Sequence, residues 1–222
     1  LGLAGGTRMS SDASFDIDVA RTIGRARIAL RFAGGEGLTV LFGPSGAGKT
    51  SVLNMIAGLI PPERGHVRIG GRTLFDAAAK IDVPPEHRRI GYVFQDDRLF
   101  PHRRVRANLL YGHYLAAPGD RWMGLDEASA FLGIGHLLDR WPGSLSGGEG
   151  RRVAIGRALL SGPAALLMDE PLSSLDQPRR EEIMAVIERI RDELRIPILY
   201  VTHDAAEADR LATQGVTIEP AG

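Results

Sequence analysis

Residues 43–50 read Gly43-Pro44-Ser45-Gly46-Ala47-Gly48-Lys49-Thr50. The apolar run Leu38–Phe42 stands directly before them and reads as a strand. Val52, Leu53, Ile56 and Leu59 follow at helical spacing and predict a helix from about Gly48 to Gly58, stopped by Pro61-Pro62. A glycine-rich loop that leaves a strand and opens a helix is built to cradle phosphate. Gly43, Gly46 and Gly48 tolerate backbone angles that turn successive N–H groups inward. The helix start adds a partial positive charge. Lys49 has the length to reach β- and γ-phosphates, and Thr50 offers a hydroxyl to Mg²⁺. Lys49 and Lys80 are the only lysines among 27 basic residues, so an arginine-using chain has placed one of two ammonium groups in this loop. The phosphate contacts expected of this loop are Gly43, Pro44, Ser45, Gly46, Ala47, Gly48, Lys49, Thr50 and Ser51.

Outward from the loop, strands and helices alternate. Ala26–Phe32 reads as a strand joined to Leu38–Phe42 by the turn Gly34-Gly35-Glu36-Gly37. Val67–Ile69 and Arg72–Phe75 form a short pair around Gly70-Gly71, and residues 90–94 read as a buried strand. Between about 96 and 142 the strand signals stop. Val105–Tyr114 and Leu125–Leu132 carry helical spacing, so this stretch is expected to be a helical insert. A helix then follows Ser146 to about Leu160, and Ala164–Met168 and Ile198–Thr202 are strands. The helix between those strands has Pro178 in its first turn and a stripe of Ile183, Val186, Ile187, Ile190 and Leu194. Ala205–Ala212 reads as a helix and Val216–Ile218 as a last strand. This order implies an α/β fold with a mostly parallel sheet covered on both faces. Ligands of such sheets sit beyond the carboxyl ends of the strands, where Gly43, Asp169 and His203 fall.

Asp169-Glu170 ends the Ala164–Met168 strand opposite the loop. Asp169 is placed to hold Mg²⁺ through water, and Glu170 to orient or deprotonate an attacking water. Taken alone the pair reads equally well as a cap of the next turn. Gln95 ends one strand and His203 another. A neutral amide binds Mg²⁺ weakly and releases it, and a histidine there can contact a γ-phosphate. Each taken alone is also an ordinary surface or capping residue.

The 222-residue chain is long enough for one large domain or one domain with an insert. Hydrophobic residues are 44% and charged residues 24%, an ordinary globular balance. With 27 basic and 27 acidic residues there is no electrostatic case for nucleic acid as a partner. The chain has no cysteine, which excludes disulfides and thiolate metal sites and fits a reducing compartment. No apolar run approaches the ~20 residues of a membrane helix, so a membrane role would come through a partner. No secretory signal is recognisable in the first residues. Met9 reads as nearer the natural start, and residues 1–14 as a disordered or non-native segment set aside from the fold, leaving 15–222 as the domain.

In order along the chain these residues resemble the nucleotide-binding subunit of ABC transporters. Gly43–Thr50 is similar to its Walker A, Gln95 to the Q-loop, and Leu145–Glu149 (Leu-Ser-Gly-Gly-Glu) to the signature. Leu166–Glu170 is similar to Walker B, Ser173–Asp176 to the D-loop, and Thr202-His203-Asp204 to the H-loop. The likeness runs over roughly residues 15–219. It implies a P-loop NTPase with a mostly parallel core, a small N-terminal antiparallel β subdomain and an inserted α-helical subdomain. It implies ATP and Mg²⁺, with Thr50, Gln95 and Asp169 toward the metal and Glu170, Gln95 and His203 in catalysis. It also implies a head-to-tail homodimer in which Ser146, Gly147, Gly148 and Glu149 act on the second copy's ATP and Asp176 lies in the D-loop. Read without the family, Ser146 is a helix cap, and both roles are compatible.

A finer likeness lies in 88–101 (Arg-Arg-Ile-Gly-Tyr-Val-Phe-Gln-Asp-Asp-Arg-Leu-Phe-Pro), Val105–Leu109, 137–144 (Leu-Leu-Asp-Arg-Trp-Pro-Gly-Ser) and 154–160. These stretches are similar to the ATPase subunit of molybdate importers, and sulfate and iron importer subunits share much of them. The resemblance implies integral membrane permease subunits, a periplasmic or extracellular solute-binding protein acting indirectly, and a peripheral place on the cytoplasmic face of the plasma membrane. A soluble ABC ATPase of assembly, translation or repair would be expected to carry paired domains, a long coiled coil or a basic face. A small-molecule kinase would leave Leu145–Glu149 without a use.

The chain departs from that family in three places. The adenine-stacking aromatic is missing from Asp18–Arg25, where Arg21 or Ile23 stands, with Phe15 and Phe32 on either side. Gly150-Arg151 follows the signature where relatives carry longer or amide side chains, and a glycine in a first helical turn costs up to about 1 kcal/mol against alanine. The C-terminal β-rich regulatory domain usual in molybdate-type subunits is expected to be absent.

Overall fold

The structure, a computed structural model, describes residues 14–219. The expectation for the N-terminal segment therefore lies, apart from Ser14, outside the described residues. In chain order the strands are β1 (Phe15–Ile23), β2 (Ala26–Gly34), β3 (Leu38–Phe42), β4 (Arg64–Ile69), β5 (Arg72–Asp76), β6 (Ile81–Asp82), β7 (Ile90–Val93), β8 (Ala165–Asp169), β9 (Ile198–Thr202) and β10 (Gln214–Thr217). The α-helices are α1 (Lys49–Ala57), α2 (Val105–Leu115), α3 (Leu125–Leu132), α4 (Gly147–Leu160), α5 (Gln177–Arg189) and α6 (Ala205–Leu211).

The strands form two sheets. One is antiparallel, in the order β2-β1-β4-β5-β6; the other is parallel, in the order β10-β3-β9-β8-β7. Apolar strands buried on both faces suit the middle of a parallel sheet. Leu38, Val40, Leu166, Met168, Ile198 and Tyr200 face a core shared with α2 to α6. Leu41, Ala165, Leu167, Leu199 and Val201 face a second core, shared with α1 and the antiparallel sheet. Ridge and groove meet at a glycine in one place: an added Cβ on Gly156 of α4 would sit 2.8 Å from Leu109 of α2 and 2.8 Å from Leu132 of α3.

Three local expectations change. The runs 26–32 and 38–42 are not a hairpin, because β2 pairs with β1 while β3 lies between β10 and β9. The alternation in β2 of exposed and buried residues fits a half-solvated sheet, whereas β3 has no polar face. Strand β1 is not among the strands read individually from the sequence, although the resemblance implies an antiparallel β subdomain at this end. Leu59 is not on the buried face of α1: the helix ends at Gly58, in left-handed geometry, and Leu59 is 51% exposed.

The registers align the carboxyl ends of the parallel strands. Phe42 lies beside Thr202, Val201 beside Asp169, and Met168 beside Val93. Gly43, His203, Glu170 and the segment carrying Gln95 therefore leave the sheet along one rim.

Candidate functional site

Strand β3 ends at Phe42 and the loop to α1 begins. Gly46 and Gly48 take φ of 83° and 93°, which L side chains rarely adopt, and these are the turns that aim the loop amides. Gly43 differs from the sequence expectation. Its φ is not in the left-handed region; it is small because a Cβ there would stand 2.5 Å from the Ile218 carbonyl oxygen. Helix α1 starts at Gly48 with no side-chain cap and no acidic residue in its first turn. Its first N–H groups are thus left for an anion.

Lys49 is buried, and its Nζ donates to Gly43 O (2.8 Å) and Pro44 O (3.0 Å). The same ammonium lies 3.5 Å from Glu170 Oε1. Thr50 Oγ1 donates to Asp169 Oδ1 at 3.1 Å, across 119 residues of chain. Burial pushes the Asp169 carboxyl above its ordinary range, the neighbouring Glu170 charge adds to this, and the Thr50 hydrogen bond opposes it. Glu170 itself sits at φ 43°, a left-handed geometry that costs a non-glycine residue roughly 1–3 kcal/mol. That twist leaves Glu170 Oε1 3.2 Å from His203 Nδ1 as well as beside Lys49.

The donor set fits a Mg²⁺–triphosphate. Among the described residues no group of three or more His, Asp or Glu side chains is arranged to hold a metal alone. Mg²⁺ needs no such cage, since it is commonly held by one or two protein oxygens together with phosphates and waters. The Thr50–Asp169 pair at the loop supplies hard oxygens of that kind. Gln95, exposed, follows β7 on the same rim.

The remaining expected site residues lie in helix caps. Ser146 caps α4 reciprocally: its Oγ accepts from Glu149 N (3.3 Å), and Glu149 Oε2 accepts from Ser146 N (2.7 Å). The Ser146 hydroxyl proton and the amides of Gly147 and Gly148 are not used by this cap. Asp176 caps α5 by accepting from Arg179 N at 3.1 Å. His203 is exposed, and the turn after it is pinned from beneath: buried Glu207 Oε2 accepts from Tyr200 OH (2.8 Å) and Thr202 Oγ1 (2.7 Å).

Three arginines with a hold on this site were not among the expected site residues. Arg88 is fully buried and donates to the Met55 and Ile56 carbonyls at the C-terminus of α1 (3.2 and 2.7 Å). A cation there completes the dipole of the helix whose other end faces the loop. Arg151 and Arg157 on α4 donate to backbone carbonyls of residues 94–98. Only the glycine before Arg151 hinted at the crowding.

A family profile described as ABC transporter matches residues 27–173. The chain is 52% identical over 205 residues to the Molybdenum import ATP-binding protein ModC of Mesorhizobium japonicum, covering 92% of this chain and 55% of that protein. It is 57% identical over 196 residues to the protein of the same name in Brucella abortus, covering 88% and 54%. The chain thus spans about half the length of the curated relatives it matches. Among solved structures it is similar to cbiO1 of Clostridium perfringens, described as part of the ABC transporter complex cbiONQ, with a TM-score of 0.77, 25% identity, and coverage of 93% of this chain and 85% of that one. It is also similar to an ATP-binding cassette solved as a dimer in a post-hydrolysis state with ADP and Pi, with a TM-score of 0.71, 26% identity, and coverage of 92% and 94%. A glycine-turned loop, a Thr–Asp pair and a signature-type helix start on one α/β chain, with a profile match over 27–173, lead to one conclusion: this chain belongs to the ABC transporter family as an ATP-binding cassette.

Proposed function

We propose that this chain binds and hydrolyses ATP to drive an importer of molybdate, acting as a homodimer with both ATP molecules held between the copies. The observation that carries the reading is the cluster of Lys49, Thr50, Asp169, Glu170 and His203 around one loop mouth. The loop amides and Lys49 take the β- and γ-phosphates, for which Lys49 leaves the Gly43 and Pro44 carbonyls. Thr50, Asp169 and Gln95 hold Mg²⁺, which when bound neutralises charge on the triphosphate. Glu170 accepts the proton of the attacking water, and His203 fixes the Glu170 carboxylate and faces the γ-phosphate. The second copy's Ser146, Gly147 and Gly148 donate to that phosphate from the far side, with Glu149 holding the helix start. Asp176 anchors α5 beside the interface.

No described helix is long and apolar enough to cross a membrane, so coupling to transport requires permease subunits. A groove of about 710 Å³ supports that partner. It is lined by His102, Arg103, Tyr111, Tyr114, Leu115 and Trp141, and Tyr114 and Leu115 are 68% and 74% exposed. Exposed apolar side chains on this scale mark an interaction surface. A solute-binding protein would act from the far side, and the chain would sit on the cytoplasmic face. Molybdate as the solute rests on the names of the 52% and 57% identical relatives.

Glu170→Gln tests the chemistry. The variant is expected to bind ATP normally, to lose turnover by at least about a hundredfold, and to elute as a dimer only with ATP. Turnover at the wild-type rate would remove Glu170 from its assigned role. Reconstitution with a candidate permease and binding protein tests the solute: molybdate is expected to stimulate ATPase activity, and stimulation by a sugar instead would end that assignment.

A further inference from the structure

The segment after β7 has an unusual tether. Arg151 lies one turn into α4, with its side chain 5% exposed. Its Nη1 donates to Phe94 O and its Nη2 to Gln95 O, both at 2.6 Å. Its Nε lies 3.2 Å from Asp97 Oδ1. One turn and a half further along α4, Arg157 donates to Asp97 O (2.9 Å) and Arg98 O (2.7 Å). Four carbonyls of a five-residue stretch are thus held by two arginines of one helix, and Arg98 within it takes φ 46°. Space for this is made at Gly150, where an added Cβ would lie 2.5 Å from Asp97 Oδ2.

Stability is a poor reason for such an arrangement. A glycine inside a helix is unfavourable, and a buried ion pair seldom repays its desolvation. Burial depresses the ionised forms of both partners, Asp97 and Arg151. What the arrangement supplies is position. A planar guanidinium holds two adjacent carbonyls through a rigid, directional fork, whereas an ammonium is a point charge on a flexible stem that fixes their orientation less. The helix that carries it begins at Ser146, and the backbone it grips carries Gln95.

We propose that Arg151, with Asp97 and Gly150, is a positioning latch that locks the Gln95 backbone to the signature helix. The amide that reaches the chain's own Mg²⁺ and the helix start that reaches the second copy's ATP then move as one body, so each ATP site senses the other. The latch rests on the dimeric ATPase reading given above.

Arg151→Lys keeps the charge facing Asp97 and removes the fork. It is expected to lower kcat about tenfold and to raise the Mg²⁺ concentration for half-maximal activity about fivefold, with Mg²⁺-free ATP binding within about twofold of wild type. In the Glu170→Gln background it is expected to raise the ATP concentration for half-dimerisation about fivefold, read by light scattering without turnover. Wild-type values in these assays overturn the latch. So does a lowered melting temperature with unchanged Mg²⁺ dependence, which would make Arg151 structural only. If Arg151→Lys does not fold, Gly150→Ala crowds Asp97 away from Arg151, and an unchanged Mg²⁺ requirement there overturns the proposal equally. Failure of the parent reading looks different: wild-type protein without ATPase activity, or Glu170→Gln without an ATP-dependent dimer, removes the ATPase assignment and the latch with it.

Discussion

Gly150 shows how a residue can look like a defect in the sequence and be required by packing. Helix propensity alone says that alanine at 150 should stabilise the protein by up to about 1 kcal/mol. The 2.5 Å approach of the would-be Cβ to Asp97 Oδ2 opposes this. Gly150→Ala is therefore expected to give no gain in urea unfolding free energy. In an Asp97→Ala background the same change is expected to add about 0.5–1 kcal/mol. A full gain in the wild-type background would show that Asp97 yields freely. Gly43 teaches the same lesson, since it is a glycine for clearance from Ile218, Gly46 is one for backbone angle, and Gly48 is one for both, with φ 93° and an added Cβ 2.9 Å from Ile28. Composition cannot separate the two causes.

At the scale of elements, α4 joins the helical insert to the parallel sheet. Its N-terminus is closed by the Ser146–Glu149 box, and its middle carries Gly156 against Leu109 of α2 and Leu132 of α3. Even an alanine Cβ at 156 would lie 2.8 Å from both leucines. Gly156→Val is expected to destabilise the fold by about 2–3 kcal/mol through overpacking, measured as a shift in denaturation midpoint at constant m-value. A cost under about 0.5 kcal/mol would mean that α2 and α3 shift aside on α4 without strain. The missed strand β1 had a readable signal. Phe15, Ile17 and Val19 alternate with Asp16 and Asp18, and the structure buries the first three. Its pairing with β2 is a local hairpin across Gly24-Arg25, but its second partner, β4, lies about forty residues on and could not be read.

For the whole molecule, nucleotide binding and folding are linked. A ligand that binds only the native state stabilises it by about 2.7 kcal/mol at a hundred times its dissociation constant. ATP with Mg²⁺ is thus expected to raise the melting temperature of the wild-type chain. Lys49→Ala is expected to abolish most of that rise. In Glu170→Gln the rise is expected to grow with protein concentration, because closing two copies on ATP is bimolecular. A shift independent of protein concentration would argue that one copy completes the site by itself.

The order of motifs, the strand–loop–helix setting of Lys49 and Thr50, and the helix cap at Ser146 were all determined by the sequence alone. Each depends on residues within a few positions of one another, where backbone sterics and hydrophobic period act directly. Tertiary structure alone decided which strands pair within each sheet, that Thr50 meets Asp169, that Arg88 closes α1 from below, and that Arg151 grips the backbone of Gln95. Those contacts join residues tens of positions apart. Their geometry comes from how strands register and helices cross, and no local periodicity encodes it.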